Sequence, residues 1–276
     1  MRYKYLMLLI VPVLLLSCKK ETIYHPPPPP PPVDTTATPV LLKEIIIPHV
    51  PSPYYHFEYN AAGKVVFASF ASDFKRYDVF YNWDRISEMR NNIIINKDRL
   101  QYSYDNEGRV FLINFADSAG SVYQRIFLNY DGRKLFNLKW EHKIAGGFII
   151  ERTMAMLYYA DGNLEQITDH RLPVNTQVES TVIDRFEGYD DKINVDGFDL
   201  LHPGFFEHLF LLPDVQLQKN NPGKLTHTGD GTHYTIDFSY TYDNRNVPLI
   251  KTGELLYLNG NTAGQRFTET TMYTYY

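Results

Sequence analysis

The segment Tyr104-Asp105-Asn106-Glu107-Gly108-Arg109-Val110 decides the fold of this chain. Asp and Asn side chains accept hydrogen bonds from nearby backbone N–H groups, and glycine adopts the positive φ that a tight turn requires. The tyrosine before the turn and the aliphatic residue after it then belong to two paired strands. The segment therefore predicts a β-hairpin.

The same pattern recurs along the chain, with close copies at residues 59–65 and 130–135. Looser copies start at Tyr81, Tyr159, Tyr189 and Tyr242. The tyrosines at positions 59, 81, 104, 130, 159 and 189 are separated by 22, 23, 26, 29 and 30 residues, and the step to position 242 is 53. A short step has room for two strands of about eight to ten residues and two turns, so each step predicts one hairpin unit.

The stretches between the turns alternate apolar and polar side chains. Residues 233–242 and residues 136–143 both do so, with Phe136, Leu138 and Trp140 on the apolar side of the second stretch. A period of two is typical of a β-strand with one face in water and one face packed. We therefore expect antiparallel strands with one wet and one dry face.

These features predict an all-β fold, an up-and-down antiparallel meander of roughly 12–15 strands. Because an open twisted sheet rarely exceeds about 10 strands without curling, we expect a large barrel or a curled half-barrel. The long step contains an insertion at residues 196–221, in which Pro203 is placed to start one short apolar helix. Such a helix would cap or plug the barrel.

The first seventeen residues have the order of a secretory signal peptide, with Arg2 and Lys4 before an apolar run at residues 6–16. That run is too short to span a membrane, which requires about 20 apolar residues. Its end, Leu15-Leu16-Ser17-Cys18, resembles the bacterial lipobox. The resemblance implies cleavage before Cys18 and lipid attachment to it. The alternative is a secreted protein in which Cys18 is incidental.

Residues 18–39 form a proline-rich tether with seven consecutive prolines at 26–32, which we expect to act as a stiff spacer. Residues 40–276 then form a single β-domain. Lys19 after the cysteine resembles lipoproteins sent to the Gram-negative outer membrane, and the periplasmic or cell-surface side stays open. A net charge of -5 provides no basic footprint for nucleic acid.

The repeats resemble the tyrosine-aspartate repeats of bacterial Rhs-type shell proteins. Together with the lipobox, the segment Asn220-Asn221-Pro222, residues 240–243 and Pro248, they resemble a family of Gram-negative lipoproteins of unknown function with a porin-like fold. This resemblance implies a fold. It supplies no catalytic residues.

Two histidines suggest a metal site at first sight. A hairpin loop at residues 229–231 would place His227 opposite His233, and two imidazoles on one face can ligate zinc. No third ligand can be assigned, so we expect an exposed turn and predict no metal and no cofactor.

Two further clusters contain residue types that serve as acid-base groups or calcium ligands in other proteins. The first surrounds the insertion and consists of Asp199, His202, Glu207 and His208. The second could be read as calcium ligands and consists of Asp190, Asp191 and Asp196. His202 and His208 are six positions apart, a separation that does not place them on one face of a helix. The spacing of the three aspartates lacks the pattern of a calcium-binding loop. We expect solvated histidines and turn residues.

The sequence contains no nucleophile elbow, phosphate loop, dinucleotide fingerprint or zinc-protease motif, so we predict that the chain is not an enzyme. Paired carboxylates of glycosidases leave no local motif and stay possible. The predicted function is a non-catalytic binding or interaction domain at the cell envelope. Its partners are the membrane, through the anchor, and an unidentified envelope protein, glycan or lipid.

The direction of the dry face separates two alternatives. An inward dry face gives a soluble domain, and one alternative function is then to hold a lipid or another hydrophobic ligand. An outward dry face gives a pore-like outer-membrane barrel. We favour the inward face for two reasons. Outer-membrane barrels end in a C-terminal signal of alternating apolar residues, and Thr274 stands where that signal has an apolar residue. A barrel that is itself inserted in the membrane would also make a lipid anchor and a spacer redundant.

Overall fold

The computed structural model describes residues 40–93, 97–174, 177–195, 212 and 215–276. Within them lie sixteen strands, β1 Leu42–Ile46, β2 Tyr55–Tyr59, β3 Val65–Phe70, β4 Lys75–Asn82, β5 Arg85–Asn91, β6 Arg99–Tyr104, β7 Val110–Ala116, β8 Val122–Asp131, β9 Lys134–Ile144, β10 Gly147–Tyr158, β11 Leu164–Arg171, β12 Ser180–Glu187, β13 Lys224–Gly229, β14 Tyr234–Tyr242, β15 Pro248–Tyr257 and β16 Arg266–Tyr275. A 3-10 helix at Gly260–Thr262 precedes β16.

Each strand pairs antiparallel with its neighbours in sequence, and β1 pairs with β16 to close the barrel. The predicted all-β antiparallel meander is confirmed. The barrel is closed rather than half-open, and it has sixteen strands where roughly 12–15 were expected. The helix predicted within residues 196–221 falls mainly on residues outside those described. No helix in the described part is long and apolar enough to cross a membrane.

The dry face of the strands points into the barrel. Ile236 and Phe238 of β14 pack against the buried core, while Asp237 between them is exposed. In β9 the same alternation leaves Leu138 and Trp140 buried on the inner face. The apolar core therefore fills the interior, and polar residues such as Asp237 lie on the outer wall.

A β-bulge follows most repeat turns and corrects the alternation expected in β9. Tyr130 pairs with Leu135 whereas Asn129 pairs with Asn137, so Phe136 is an extra residue. Because the bulge shifts the side-chain parity, Leu135 is buried and Phe136 is 43% exposed. The same register shift occurs where each of five other strands pairs with the strand that follows it, namely β2, β4, β6, β10 and β14.

Contacts beside these bulges explain why a tyrosine recurs in the repeat motif. Tyr130 Oη donates a hydrogen bond of 2.9 Å to the carbonyl of Val110, the residue before the bulge of the preceding repeat. The Arg109 guanidinium lies over the Tyr130 ring at 5.2 Å. Equivalent hydroxyl-to-carbonyl bonds join Tyr81 to Val65, Tyr104 to Ile86, Tyr158 to Leu135, Tyr189 to Leu164 and Tyr275 to Pro248. Each of these tyrosines is thus tied to a preceding strand, whereas the Tyr242 hydroxyl bonds to the Asp190 carboxylate.

The turn residues also behave as the motif predicts, with one correction. Asp105 Oδ1 accepts the N–H groups of Glu107 and Arg109, and Gly108 has a φ of 83°. The repeat expected to start at Tyr159 starts at Tyr158. Tyr158 makes the hydroxyl bond to Leu135, while Tyr159 occupies the position that an Asp or Asn takes in the other turns.

The tyrosine hydroxyls make a testable contribution to stability. We expect Tyr130→Phe to lower the free energy of unfolding by about 1–2 kcal/mol, because the Val110 carbonyl loses its donor. Urea denaturation monitored by circular dichroism measures this loss. Tyr257→Phe is the matched control, since the Tyr257 hydroxyl bonds to none of the described residues, and its change should stay below about 0.5 kcal/mol. Equal losses in both variants would contradict the proposed role of the repeat tyrosines.

Candidate functional site

Four polar and aromatic side chains form a row across adjacent strands on the inner face. Asp184 of β12 pairs with His227 of β13, His227 pairs with Tyr234 of β14, and Tyr234 pairs with Tyr257 of β15. We call these four residues the inner row. Because directly opposed residues of antiparallel strands lie on the same face, the four side chains are neighbours inside the barrel.

The inner row lies near the end of the barrel opposite the repeat turns. Tyr234 is the first residue of β14, and Tyr257 is the last residue of β15. On the inner face of β16 beside them, Phe267 is 54% exposed, whereas Phe57 at the other side of the interior is 1% exposed. We call this the open end, because solvent reaches its inner face.

The other end is covered by the described part of the insertion. Leu217 is fully buried in the core, and Asn220 exchanges hydrogen bonds with Asn163 in the turn between β10 and β11. Asn221 is also buried, at 2% exposed, and it donates hydrogen bonds to Asp190. The access route to the interior therefore lies at the open end.

Asp184 and His227 form a close pair. His227 Nδ1 lies 2.6 Å from Asp184 Oδ1, and their side chains are 16% and 18% exposed. An ionised carboxylate only accepts hydrogen bonds, so Nδ1 carries the proton and donates it. In the neutral imidazole, Nε2 is then an acceptor.

The aromatic rings beside this pair are in mutual contact. His227 stacks on Tyr234 with ring centroids 4.5 Å apart, and Tyr234 meets Tyr257 edge to face at 6.2 Å. Tyr257 in turn meets Phe267 edge to face at 5.8 Å. Burial raises the pKa of Tyr234, and the charge of Asp184 raises it further, so the hydroxyl keeps its proton at neutral pH.

Several polar atoms of the inner row have no protein partner within the described part of the chain. They are the second carboxylate oxygen of Asp184, Nε2 of His227 and the hydroxyls of Tyr234 and Tyr257. None of these four atoms is both buried and without a hydrogen-bond partner, because each is in contact with solvent. These atoms are available to a ligand.

A buried ion pair adjoins the inner row. Arg152 Nε and Nη2 donate to Asp169 Oδ1 and Oδ2 at 2.6 and 2.7 Å, and the guanidinium lies over the Trp140 ring at 5.1 Å. Arg171 also contacts Asp169, at 3.3 Å. The bidentate contact uses both carboxylate oxygens of Asp169, so the group of two arginines and one aspartate shapes the wall of the interior.

The arrangement is suited to binding. An Asp-His pair can serve as a general base, but a covalent mechanism also requires a nucleophile hydrogen-bonded to the imidazole. Among the described residues, no hydroxyl or thiol bonds to His227 Nε2. No group of three His, Cys, Asp or Glu residues in the described part is placed to hold a metal ion.

The structure separates the two histidines of the suggested metal site. His227 is paired with Tyr234, and His233 lies in the loop, where its Nε2 contacts the Gly229 carbonyl at 2.6 Å. The loop is longer than the three-residue hairpin loop considered at residues 229–231, so His227 and His233 do not oppose one another.

The other sequence candidates lie elsewhere. Asp190 Oδ1 accepts the N–H groups of Lys192 and Asn221, as expected of a turn residue, and Asp191 pairs with Lys192. Outside the described residues lie the predicted lipid-attachment site Cys18, the cluster Asp199, His202, Glu207 and His208, and Asp196.

Sequence reasoning missed Asp184 and Tyr257. Asp184 has the same parity as Val182 and Phe186, so a charged residue on the dry face of a strand was the available signal. Tyr257 gave no signal, because its partner Tyr234 is fixed only by the pairing of β14 with β15.

A second concavity lies on the outside of the repeat end. It has a volume of about 600 Å³ and is bounded by Phe136, Leu157 and Tyr158 among others. The Tyr158 hydroxyl is already bonded to the Leu135 carbonyl, so this depression offers fewer free polar atoms than the inner row.

The fold is a closed up-and-down β-barrel of sixteen antiparallel strands. A porin-like protein from Bacteroides uniformis superposes with a TM-score of 0.55 at 18% identity, covering 85% of this chain and 95% of its own. A porin-like protein from Bacteroides vulgatus gives a TM-score of 0.56 at 12% identity, covering 85% and 98%.

At these identities the two structures show the fold alone. The porin-like fold implied by the sequence resemblance is thereby confirmed. The sequence matches no protein-family model, and no curated protein matches it. The resemblances to a lipoprotein family and to Rhs-type repeats stay predictions.

Proposed function

We propose that this chain is an envelope lipoprotein whose barrel stands in water as a non-catalytic binding domain. Its ligand enters at the open end and contacts the inner row. The observation that carries this proposal is the charged outer wall of the barrel.

The outer wall carries ionised side chains at mid-strand positions. Asp78 lies between the buried Tyr77 and Val79, and Lys139 lies between the buried Leu138 and Trp140. Lys139 pairs with Glu141 on the same outer face at 2.8 Å. A lysine or arginine facing lipid at the bilayer midplane costs about 2–4 kcal/mol, so such a wall is suited to water rather than to hydrocarbon.

The filled interior supports a small binding site over a pore or a lipid store. Inner-face residues from almost every strand belong to one buried cluster, and Ile45, Met89, Leu100, Ile113 and Leu138 are fully buried. Close packing of this kind leaves little volume for an acyl chain or a water-filled channel. The open end is the part of the interior that a ligand can reach.

The anchor part of the proposal rests on the sequence. Cleavage before Cys18 and lipid attachment would leave residues 18–39 as a spacer before β1 begins at Leu42. Two or more acyl chains hold a protein stably at a membrane. Together these segments would hold the barrel close to the outer membrane without inserting it.

The behaviour of the barrel in buffer tests the proposal. Every described strand lies within residues 42–275, and residues 39–276 form one compact unit, so a fragment of residues 40–276 contains the whole barrel. We expect this fragment to be soluble and monomeric without detergent, as measured by size-exclusion chromatography with light scattering.

The same fragment in detergent is the control. Its circular dichroism spectrum and unfolding temperature should be the same with and without micelles, because the outer wall is already solvated. A fragment that precipitates in buffer and folds only in detergent would instead support a pore-like barrel.

A further inference from the structure

The tyrosines at the repeat end are satisfied by the protein in two ways. Their hydroxyls donate to backbone carbonyls, and a basic side chain covers the ring, as Lys64 does for Tyr81 and Arg85 for Tyr104. Lys134 over Tyr158 and Arg245 over Tyr275 repeat the arrangement. With Arg109 over Tyr130, the fold places a cation on five of the described tyrosine rings at that end.

The rings of the open end lack both partners. Within the described part of the chain, no lysine or arginine lies over Tyr234, Tyr257 or Phe267. The hydroxyls of the two tyrosines are also without a protein partner. His227 stacks on one face of Tyr234, and no cation of the described residues covers the remaining ring faces of Tyr234, Tyr257 and Phe267.

Carboxylates flank the same rings. Asp184 uses one oxygen for His227 and has its second oxygen unbonded. Glu269 lies two residues from Phe267 on the inner face of β16, and its side chain is 56% exposed, with His49 3.9 Å away. The neighbouring inner-face cations are engaged elsewhere. Arg152 and Arg171 contact Asp169, and Lys251 lies over Phe238.

From this juxtaposition of uncovered rings and carboxylates, we infer that the inner row and Phe267 bind an organic ammonium ion. The cation would lie against the ring faces, which attract positive charge through their quadrupoles. Asp184 would neutralise it, and the tyrosine hydroxyls would bond to polar substituents of the ligand. The inference rests on the proposed binding function and names the ligand class of that site.

The charges disfavour an anionic ligand, because Asp184 and Glu269 would repel it. A neutral sugar could use the same hydroxyls and acceptors, but its affinity would not depend on a positive charge. The experiment therefore compares two probes of one shape that differ in charge.

Isothermal titration calorimetry of the residue 40–276 fragment with choline chloride tests the inference. The neutral probe is 3,3-dimethylbutan-1-ol, which has the shape of choline and no charge. We expect choline to bind at least about tenfold more tightly than the alcohol, as desolvated cation–π contacts predict. Equal affinities would overturn the ammonium assignment while leaving an interior binding site in place.

Substitutions locate the site. Asp184→Asn and Tyr257→Leu should each weaken choline binding by about tenfold. Tyr257→Phe keeps the ring and loses only the hydroxyl contact with the ligand, so it should weaken binding by no more than about threefold. Asp237→Asn on the outer face of β14 is the matched control and should leave affinity unchanged. Thermal unfolding of each variant verifies the fold.

Two further results would overturn the inference. One is no choline binding by the folded, unsubstituted fragment at millimolar concentration. The other is a loss in Asp237→Asn equal to that in Asp184→Asn. Neither result bears on the solubility of the fragment in buffer, so the ligand class and the aqueous barrel are tested separately.

Discussion

Raising the pH from about 9 to about 12 will destabilise the barrel strongly, because its buried tyrosines must lose their protons. Burial raises the pKa of Tyr59 and of Tyr104 from 10 to about 12. Burial also raises the pKa of Tyr130, Tyr158 and Tyr189. In the unfolded chain a tyrosine titrates near pH 10.

The direction of the change in stability with pH follows from the tyrosine pKa values in the folded and unfolded states. Since the folded pKa lies above the unfolded value, the folded state binds more protons between about pH 10 and pH 12. The stability contributed by the protonated tyrosines is fully present below about pH 10, and it is lost as the pH rises through their pKa values in the folded state. Deprotonation also removes the donors of the hydroxyl-to-carbonyl bonds, such as the 2.8 Å bond from Tyr104 to Ile86.

Urea denaturation at stepped pH, with tyrosinate absorbance at 295 nm, measures this effect. The free energy of unfolding should begin to fall near pH 10, and tyrosinate absorbance from the repeat tyrosines should appear together with unfolding. Tyr130→Phe removes one titrating group and should make the decline shallower. Full tyrosinate formation near pH 10 with an intact circular dichroism spectrum would contradict this account.

Asp169→Ala should lower the free energy of unfolding by about 3–5 kcal/mol, the usual cost of removing one partner of a buried ion pair. The Asp169 side chain is 7% exposed and that of Arg152 is 16% exposed. Arg152 and Arg171 are cross-strand partners, so the variant leaves two neighbouring cations without the carboxylate between them.

Two comparisons isolate the charge effect. Asp237→Ala on the exposed outer face should change stability by no more than about 0.5 kcal/mol. The double variant Arg152→Met with Asp169→Leu should recover most of the loss, because an apolar pair of similar volume replaces both charges. If the double variant is as unstable as Asp169→Ala, lost packing rather than an unpaired charge is the cause.

Turn chemistry explains why the repeat could be predicted. The Asp105 side chain, Gly108 and Arg109 act within a few residues of one another, so their roles follow from local sequence. The bulges could not be predicted in the same way. An alternating pattern does not reveal where an extra residue is inserted, and the shift at Phe136 reversed the face assigned to it.

The candidate site illustrates the same limit. His227 drew attention because of its chemistry, but it was matched with His233, its neighbour across a loop, and not with Asp184, 43 residues away. Side chains 184, 227, 234 and 257 meet only after three strand pairings have been fixed. A lone polar residue on a dry face was the one available sequence signal.

By itself, the sequence determined the hairpin unit, its repetition and the two-faced strands, because turn geometry and side-chain alternation depend on near neighbours in the chain. Tertiary structure alone decided the closure of β1 on β16, where Thr274 meets Glu44 across 230 residues. It also decided the inward direction of the dry face and the assembly of the inner row. Those features depend on strand register across the whole barrel, which short-range patterns do not specify.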